Sequence, residues 1–120
     1  MSAPINSYRD LVAWQRGRVL VREVYAATRE FPAEERFGLS LQMRRAVISV
    51  TSNIAEGYGR GSQMDYQRHL RIARGSLFEI ESQSIAALDL AFMYQDGFER
   101  LQSAIDEVAR PLCGLIRSLE

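Results

Sequence analysis

The sequence predicts an all-α protein, an up-and-down antiparallel four-helix bundle that forms one domain over residues 1–120. Two observations predict this fold. Apolar residues recur at intervals of three, four and seven in four successive segments, which is the period of an amphipathic helix. Short connections that contain glycine, proline or capping residues separate the segments. Four such helices with short connections are typical of an up-and-down bundle.

The first helix follows Ser7 and Asp10, which have the form of a capping box with Asp in place of Glu. Gly17 either weakens this helix by about 1 kcal/mol relative to alanine or lets a neighbouring element approach closely. Phe31 precedes a proline and therefore disfavours further helix, so residues 33–38 are predicted to form a short turn. The helical period runs over Leu11, Trp14, Val21, Val24, Tyr25 and Thr28.

The second helix is predicted to begin at Ser40 as its N-cap. Residues 47–51, VISVT, are rich in β-formers and favour a strand on propensity alone. Val47, Ile48 and Val50 would not share one face of a strand, however, so the pattern favours a helix. The helical stripe consists of Met43, Ala46, Val47, Val50 and Ile54.

Three glycines at alternate positions follow this helix, namely Gly57, Gly59 and Gly61. A dinucleotide-binding loop needs G-x-G-x-x-G after a strand, whereas here the spacing is G-x-G-x-G after a helical pattern. We therefore predict that Gly57 is the left-handed residue that ends the helix and that Gly59 and Gly61 let the chain reverse. Ser62 then caps the next helix, and an anion bound at this helix N-terminus beside Arg60 remains an alternative.

The third and fourth helices are predicted to begin at the capping boxes Ser62–Asp65 and Asp96–Glu99. Pro111 is predicted to kink the fourth helix. The third stripe consists of Tyr66, Leu70, Ala73, Leu77, Ile80, Ser84, Ala87, Leu88 and Ala91, and the fourth of Leu101, Ile105, Val108, Leu112, Leu115, Ile116 and Leu119. Apolar residues beyond these stripes predict a subunit interface, and they are Phe37, Ile48, Tyr58, Ile72, Phe78, Phe92 and Met93.

The formal charge is zero but unevenly spread, and every Lys or Arg position is arginine. Residues 36–74 hold seven arginines against two acids, a net of +5, and residues 75–120 hold three arginines against eight acids, a net of −5. This asymmetry is compatible with a nucleic-acid face, with elements that pair with each other, or with complementary subunit surfaces.

Several classes of protein are excluded or disfavoured by composition. No apolar run approaches the length of a membrane span, and the N-terminus lacks the apolar segment of a signal peptide, so we expect a cytoplasmic protein without membrane partners. Cys113 is the single cysteine, which excludes an intramolecular disulfide and a CxxC motif, and it is predicted to be a small core residue. With one histidine and no nucleophile motif, we expect no catalytic residue, metal or cofactor, and hence no enzyme.

Two groups of polar residues are candidates for function. Asn53 and Glu56 are predicted to tether the end of the second helix to a neighbouring backbone, and His69 is predicted to contact Asp65 one turn away. The second group is a candidate nucleic-acid-binding surface that contacts phosphates, and the alternative is a solvated face or one paired with Glu79, Glu81, Asp106 or Glu107. Its members are Arg44, Arg45, Arg60, Arg68, Arg71 and Arg74.

Three stretches resemble a known family: DLVAWQRG at 10–17, VYAATREFPAEERFGLSLQMRRAVISVTSNIAEGYGR at 24–60, and RIARGSLFEIES at 71–82. They are similar to the 23S ribosomal RNA intervening-sequence protein family, also called the four-helix-bundle protein family. The resemblance implies a four-helix bundle that assembles as a homopentameric barrel, with no established enzymatic activity. A related branch, the accessory variability determinant of diversity-generating retroelements, binds a reverse transcriptase and nucleic acid through a basic surface, whereas this chain is neutral.

Two functions follow as expectations. The first is a non-enzymatic, homo-oligomeric scaffold, expected to be a pentamer, whose partners are copies of itself and an unidentified protein. The alternative is a nucleic-acid-associated accessory protein that binds RNA or DNA phosphates, or a reverse transcriptase, through the six arginines.

Overall fold

The computed structural model describes residues 4–120, and within them the chain is an antiparallel bundle of four α-helices without a strand. The helices are α1 (Val12–Arg29), α2 (Leu39–Gly59), α3 (Gln63–Asp89) and α4 (Gln95–Ser118). Single turns of 3-10 helix lie at Tyr8–Asp10 and Ala33–Glu35. The fold class is confirmed, and so is the choice of helix over strand for residues 47–51.

The core lies along the bundle axis, where each helix contributes one apolar stripe. In α2, all five residues of the predicted stripe are buried, and in α4 Leu101, Ile105, Val108, Leu112 and Ile116 are buried. Burying an aliphatic side chain of this size stabilises the fold by about 1.5–3 kcal/mol. The stripe of α1 is less well predicted, since Ala13, Gly17 and Leu20 are buried there while Trp14 and Tyr25 are half-buried.

Of the two capping residues predicted for the first two helices, Ser7 forms its predicted hydrogen bonds and Ser40 does not cap a helix. Ser7 and Asp10 form the predicted capping box, but it caps the 3-10 turn, and α1 starts only after the extended residue Leu11. The prediction that Ser40 caps α2 is wrong, because the helix begins one residue earlier. Its first N–H is satisfied by the side chain of Glu35, whose Oε1 accepts from the backbone N–H of Leu39 at 3.1 Å.

Of the helix starts predicted for α3 and α4, the first is confirmed and the second is wrong. Ser62 caps α3 as predicted, since its hydroxyl accepts from the backbone N–H of Asp65 at 3.3 Å. The predicted start of α4 at Asp96 is wrong, because Tyr94 is the N-cap and Asp96 lies in the first turn. Pro111 lies inside α4, as the sequence indicates.

The connection between α2 and α3 contains Gly61, which adopts the left-handed conformation with φ of 78°. The prediction that Gly57 is the left-handed residue is wrong: Gly57 lies inside α2 and is buried. Gly59 is the last residue of α2, and an added Cβ there would meet nothing within 4 Å. Chain reversal therefore depends on Gly61 and Ser62, while Gly57 serves the packing of α2 against α3.

A second left-handed residue ends α3. Ala91 has φ of 60°, and the N–H of Phe92 donates to the carbonyl of Ala87 at 2.8 Å. This is the hydrogen-bond pattern of a Schellman motif, in which glycine normally occupies the left-handed position. The chain then enters α4 through Met93 and Tyr94.

Candidate functional site

A polar cluster lies between α2 and α3, centred on the buried side chain of His69. Its Nδ1 lies 2.9 Å from Oδ1 of Asn53 and 3.5 Å from Oε2 of Glu56. Its Nε2 lies 3.5 Å from a guanidinium nitrogen of Arg68. Because the oxygen of Asn53 can only accept, we assign the proton of the neutral ring to Nδ1, and Nε2 then accepts from Arg68.

The cluster continues along the α2–α3 seam through two serines. The amide nitrogen of Asn53 donates to the carbonyl and the hydroxyl of Ser49, at 2.8 and 3.0 Å. The hydroxyl of Ser76 on α3 donates to that of Ser49 at 2.9 Å. A chain of hydrogen bonds thus joins the two helices from Ser76 to His69, and it fixes how they sit against each other.

These contacts change two predictions. Asn53 and Glu56 do lie at the end of α2 and reach α3, but there they contact the side chain of His69, and the backbone that Asn53 binds is that of Ser49 in its own helix. The predicted contact of His69 with Asp65 is wrong, since Asp65 pairs with Arg68, whose Nε lies 3.9 Å away. Position 69 faces α2, where the half-buried Asn53 binds its ring.

Gly57 lies beside this cluster and determines how closely α3 approaches. A Cβ on Gly57 would lie 2.7 Å from Cβ of His69 and 3.2 Å from Cδ1 of Tyr66. The ring of Tyr66 also meets that of Tyr58 edge to face, with centroids 6.0 Å apart. Burial, with a smaller contribution from Tyr58, raises the pKa of the Tyr66 hydroxyl to about 12.

Three of the six predicted arginines are engaged by other side chains of the protomer. Arg44 turns to α1, where its Nε donates to the hydroxyl of Thr28 at 2.8 Å and its guanidinium lies over the ring of Tyr25. Arg68 is engaged by Asp65 and His69, and Arg71 lies 3.6 Å from a carboxylate oxygen of Glu120.

Four of the six make no ion pair among residues 4–120, namely Arg44, Arg45, Arg60 and Arg74, and of these only Arg44 is engaged by other side chains. Arg45 and Arg60 are exposed on α2 and at its end, and Arg74 is half-buried on α3. Arg45 lines a shallow depression between α2 and α3 together with Ser49, Ser76 and Glu79. The positive charge there is therefore accompanied by a carboxylate, which weakens the field that an anion would meet.

Exposed apolar residues are the other notable feature of the protein surface. Of the residues predicted to lie outside the core, Phe37, Ile48, Ile72 and Phe78 are exposed, Tyr58 and Phe92 are half-buried, and Met93 is buried at 8% exposure. Several further apolar residues are exposed, although the sequence analysis did not predict them to lie outside the core. They are Ile5, Val12, Val19, Met64, Ile85, Leu90 and Tyr94.

The remaining features of interest are metal-ligating side chains, the single cysteine and membrane-spanning helices. No group of three or more metal-ligating side chains is found within the part of the chain that the structure describes. Cys113 is half-buried instead of being a core residue. None of the helices in residues 4–120 has the length and apolar character needed to cross a membrane.

Sequence reasoning missed Ser49, Ser76 and the buried Gln83, whose Oε1 has no hydrogen-bond partner among residues 4–120. A signal for Ser76 was present, since it lies three residues after Ala73 and four before Ile80, on the stripe of α3. A hydroxyl in such a position needs a partner, and Ser49 supplies it.

No curated protein matches the chain. A family model described as 23S rRNA-intervening sequence protein matches residues 9–114. This range covers α1, α2 and α3 completely and α4 up to Gly114. On this match, the chain belongs to the 23S rRNA-intervening sequence protein family.

Proposed function

We propose that this chain is a non-enzymatic subunit that associates with copies of itself and acts as an interaction scaffold. The observation that carries the proposal is the exposed apolar surface of α3. Phe78 and Ile85, two helical turns apart, are 64% and 47% exposed on a helix whose other face already fills the core. Exposed apolar patches on a small bundle mark interaction sites, and a second copy is always available as the partner.

The polar cluster supports a structural role over a catalytic one. Nδ1 of His69 is engaged by Asn53 and Glu56, and its Nε2 faces Arg68. A general base needs a lone pair that can reach a substrate proton, whereas this ring is buried and occupied on both sides. The cluster's effect is to hold α2 and α3 in register.

The number of copies is part of the proposal. The resemblance to pentameric relatives leads us to propose five, and native mass spectrometry of the full chain counts them. The substitution Phe78→Asp places a charge on the apolar surface of α3, and we expect it to yield monomers. Tyr94→Asp is the control, because Tyr94 is also exposed but lies in the connection before α4 and is not among the residues predicted to form the interface. A wild-type chain that is monomeric at micromolar concentration would overturn the proposal.

The alternative is a nucleic-acid-associated accessory protein, and it is supported by Arg45 and Arg60, which are exposed and without an ion pair among residues 4–120. Its test is fluorescence anisotropy of a labelled structured RNA and a duplex DNA at low and moderate salt. Arginine contacts to phosphates predict binding that falls steeply with salt and is weakened when both arginines are replaced by alanine. No binding at low salt would exclude this alternative and leave the scaffold.

A further inference from the structure

We propose that copies of this chain meet head to tail, with α1 of one protomer against the C-terminal half of α3 of the next. The inference rests on the self-association proposed above and assigns the two surfaces that carry it. A contact between two different surfaces of identical subunits is heterologous, and it produces rings when the rotation between subunits closes.

The first surface is the outer face of α1. Val12 and Val19, seven residues apart, are 52% and 39% exposed, and Ala26 continues the row after another seven residues. Seven residues make two helical turns, so these three side chains lie on one line. Arg22 and Arg29 are exposed beside that line. The surface is therefore an apolar row with positive charges along one side.

The charge of these two arginines is not neutralised within the protomer. The opposite edge of α1 is engaged by α4: Arg100 donates to both carboxylate oxygens of Glu23, at 2.8 and 3.1 Å, and Arg16 lies 3.3 Å from Glu107. Arg22 and Arg29 make no ion pair with any residue between 4 and 120. They are available for a carboxylate from another molecule.

The second surface is the outer face of α3 in its C-terminal half. Phe78 and Ile85 are exposed and seven residues apart. Asp89 is exposed on the same outer side, and Glu79 is exposed at the edge towards α2, where it lines the depression beside Arg45. Neither carboxylate makes an ion pair within residues 4–120. This surface has the apolar spacing of the first with the opposite charge.

Gly75 adds a separate observation on α3. It is exposed in the middle of the helix, and an added Cβ would meet nothing within 4 Å. Glycine is a poor helix former, and no contact inside the protomer requires it here. Close approach of a helix from a second molecule would require a residue of this size at this position.

The two surfaces lie at the same height in the bundle. Gly17 of α1 packs against Thr51, and Ser49, half a turn away on α2, binds Ser76 of α3. Residues C-terminal to Gly17 in α1 are thus level with those C-terminal to Ser76 in α3. The two helices also run in the same direction, because consecutive helices of the bundle are antiparallel. A head-to-tail contact without axial shift therefore brings the arginines of α1 level with the acids of α3.

A second copy fits these observations better than other partners do. A nucleic acid would use Arg22 and Arg29 but would leave the valine row without a function. An acidic helix from another protein would fit α1 alone and leave the acidic, apolar surface of α3 unexplained. One contact between copies uses both surfaces at once.

Charge reversal in the full chain tests the inference. One variant carries Arg22→Glu and Arg29→Glu, and the other carries Glu79→Arg and Asp89→Arg. Each variant alone opposes like charges in every α1–α3 contact, so we expect each to be monomeric by native mass spectrometry. An equimolar mixture restores opposite charges at every contact between the two variants, so we expect mixed assemblies with an even number of copies. A ring of five would retain one contact between like charges. The four side chains are exposed, so we expect both variants to fold. Circular dichroism checks the folding of each variant, and reassociation in the mixture confirms it.

The control variant carries Arg117→Glu and Glu99→Arg, two exposed positions on α4, and we expect it to assemble like the wild type. A wild-type assembly that survives both charge reversals, or reversed variants that fail to associate when mixed, would refute the α1–α3 contact and leave self-association through another surface. A monomeric wild type would refute both. Should a reversed variant fail to fold, alanine replaces both of its mutated residues, and a loss of assembly relative to the control is still expected.

Discussion

Replacing Gly57 with alanine tests whether this glycine sets the distance between α2 and α3. The new methyl carbon would lie 2.7 Å from Cβ of His69, which is bonded directly to the backbone of α3. It would also lie 3.2 Å from the ring of Tyr66, which packs against Tyr58. Neither neighbour is the free end of a flexible side chain, so the substitution must move α3 or strain α2.

The sign of the effect follows from two opposing magnitudes. Alanine stabilises a helix by about 1 kcal/mol relative to glycine. Inserting a carbon into a well-packed contact destabilises by about 1–3 kcal/mol, and a contact this short with an atom fixed to the backbone belongs at the upper end. We therefore expect Gly57→Ala to lower the free energy of unfolding by about 2 kcal/mol.

Gly114→Ala is the matched control, because Gly114 also lies inside a helix but an added Cβ there meets nothing within 4 Å. The control should gain about 0.5–1 kcal/mol from helix propensity alone. Urea unfolding followed by far-ultraviolet circular dichroism, at several protein concentrations, measures both variants. If Gly57→Ala gained as much stability as Gly114→Ala, the packing explanation of Gly57 would be refuted.

Three further predictions concern single residues. Ala91→Gly should raise the free energy of unfolding by about 0.5–1 kcal/mol in urea unfolding, because it relieves the left-handed conformation that ends α3. Asn53→Ala should lower it by about 1–3 kcal/mol, since the buried ring of His69 loses its closest partner; a neutral effect would mean that Glu56 replaces the amide. Tyr66 should ionise above the ordinary range of a tyrosine in an absorbance titration, since its raised pKa of about 12 keeps the hydroxyl neutral in the folded state. The free energy of unfolding should therefore fall as the pH rises from 10 towards 12, and this fall should be smaller in Tyr66→Phe.

The fold was predictable because periodicity carries more information than propensity in this chain. VISVT at 47–51 is built from strand formers, yet the stripe that includes Val47 and Val50 has the helical spacing, and both side chains are fully buried in α2. Burial in a bundle outweighs the small intrinsic preference of valine and isoleucine for strands. The same reasoning located the helix ends near Phe31 and Ser62.

The functional details were less predictable because they depend on contacts between helices. A glycine near a helix end signals both a left-handed turn and a close approach, and only the tertiary contact with His69 distinguishes them at Gly57. Ser40 has the composition of a cap, but the carboxylate of Glu35 reaches the first N–H of α2 from the preceding turn. The partner of His69 lies sixteen residues away on another helix, beyond any local pattern.

The partners of the charged residues could not be predicted from the distribution of charge along the sequence. The excess of +5 in residues 36–74 and of −5 in residues 75–120 suggested two elements that neutralise each other. Only one ion pair, between Arg71 and Glu120, joins these segments in the described chain, and the pairs between α1 and α4 use Glu23, Arg100, Arg16 and Glu107 instead.

Much of the asymmetry is therefore left uncancelled within the protomer. Exposed charges of opposite sign on one molecule attract most strongly when another copy brings them together, because contact excludes the water and salt that screen them. A neutral chain with separated charges thus gains little long-range attraction to nucleic acid but retains short-range complementarity to itself. This distinction is measurable, since raising the salt concentration should weaken assembly through α1 and α3 without abolishing it: the apolar row of Val12 and Val19 does not depend on salt in the way that the arginines do.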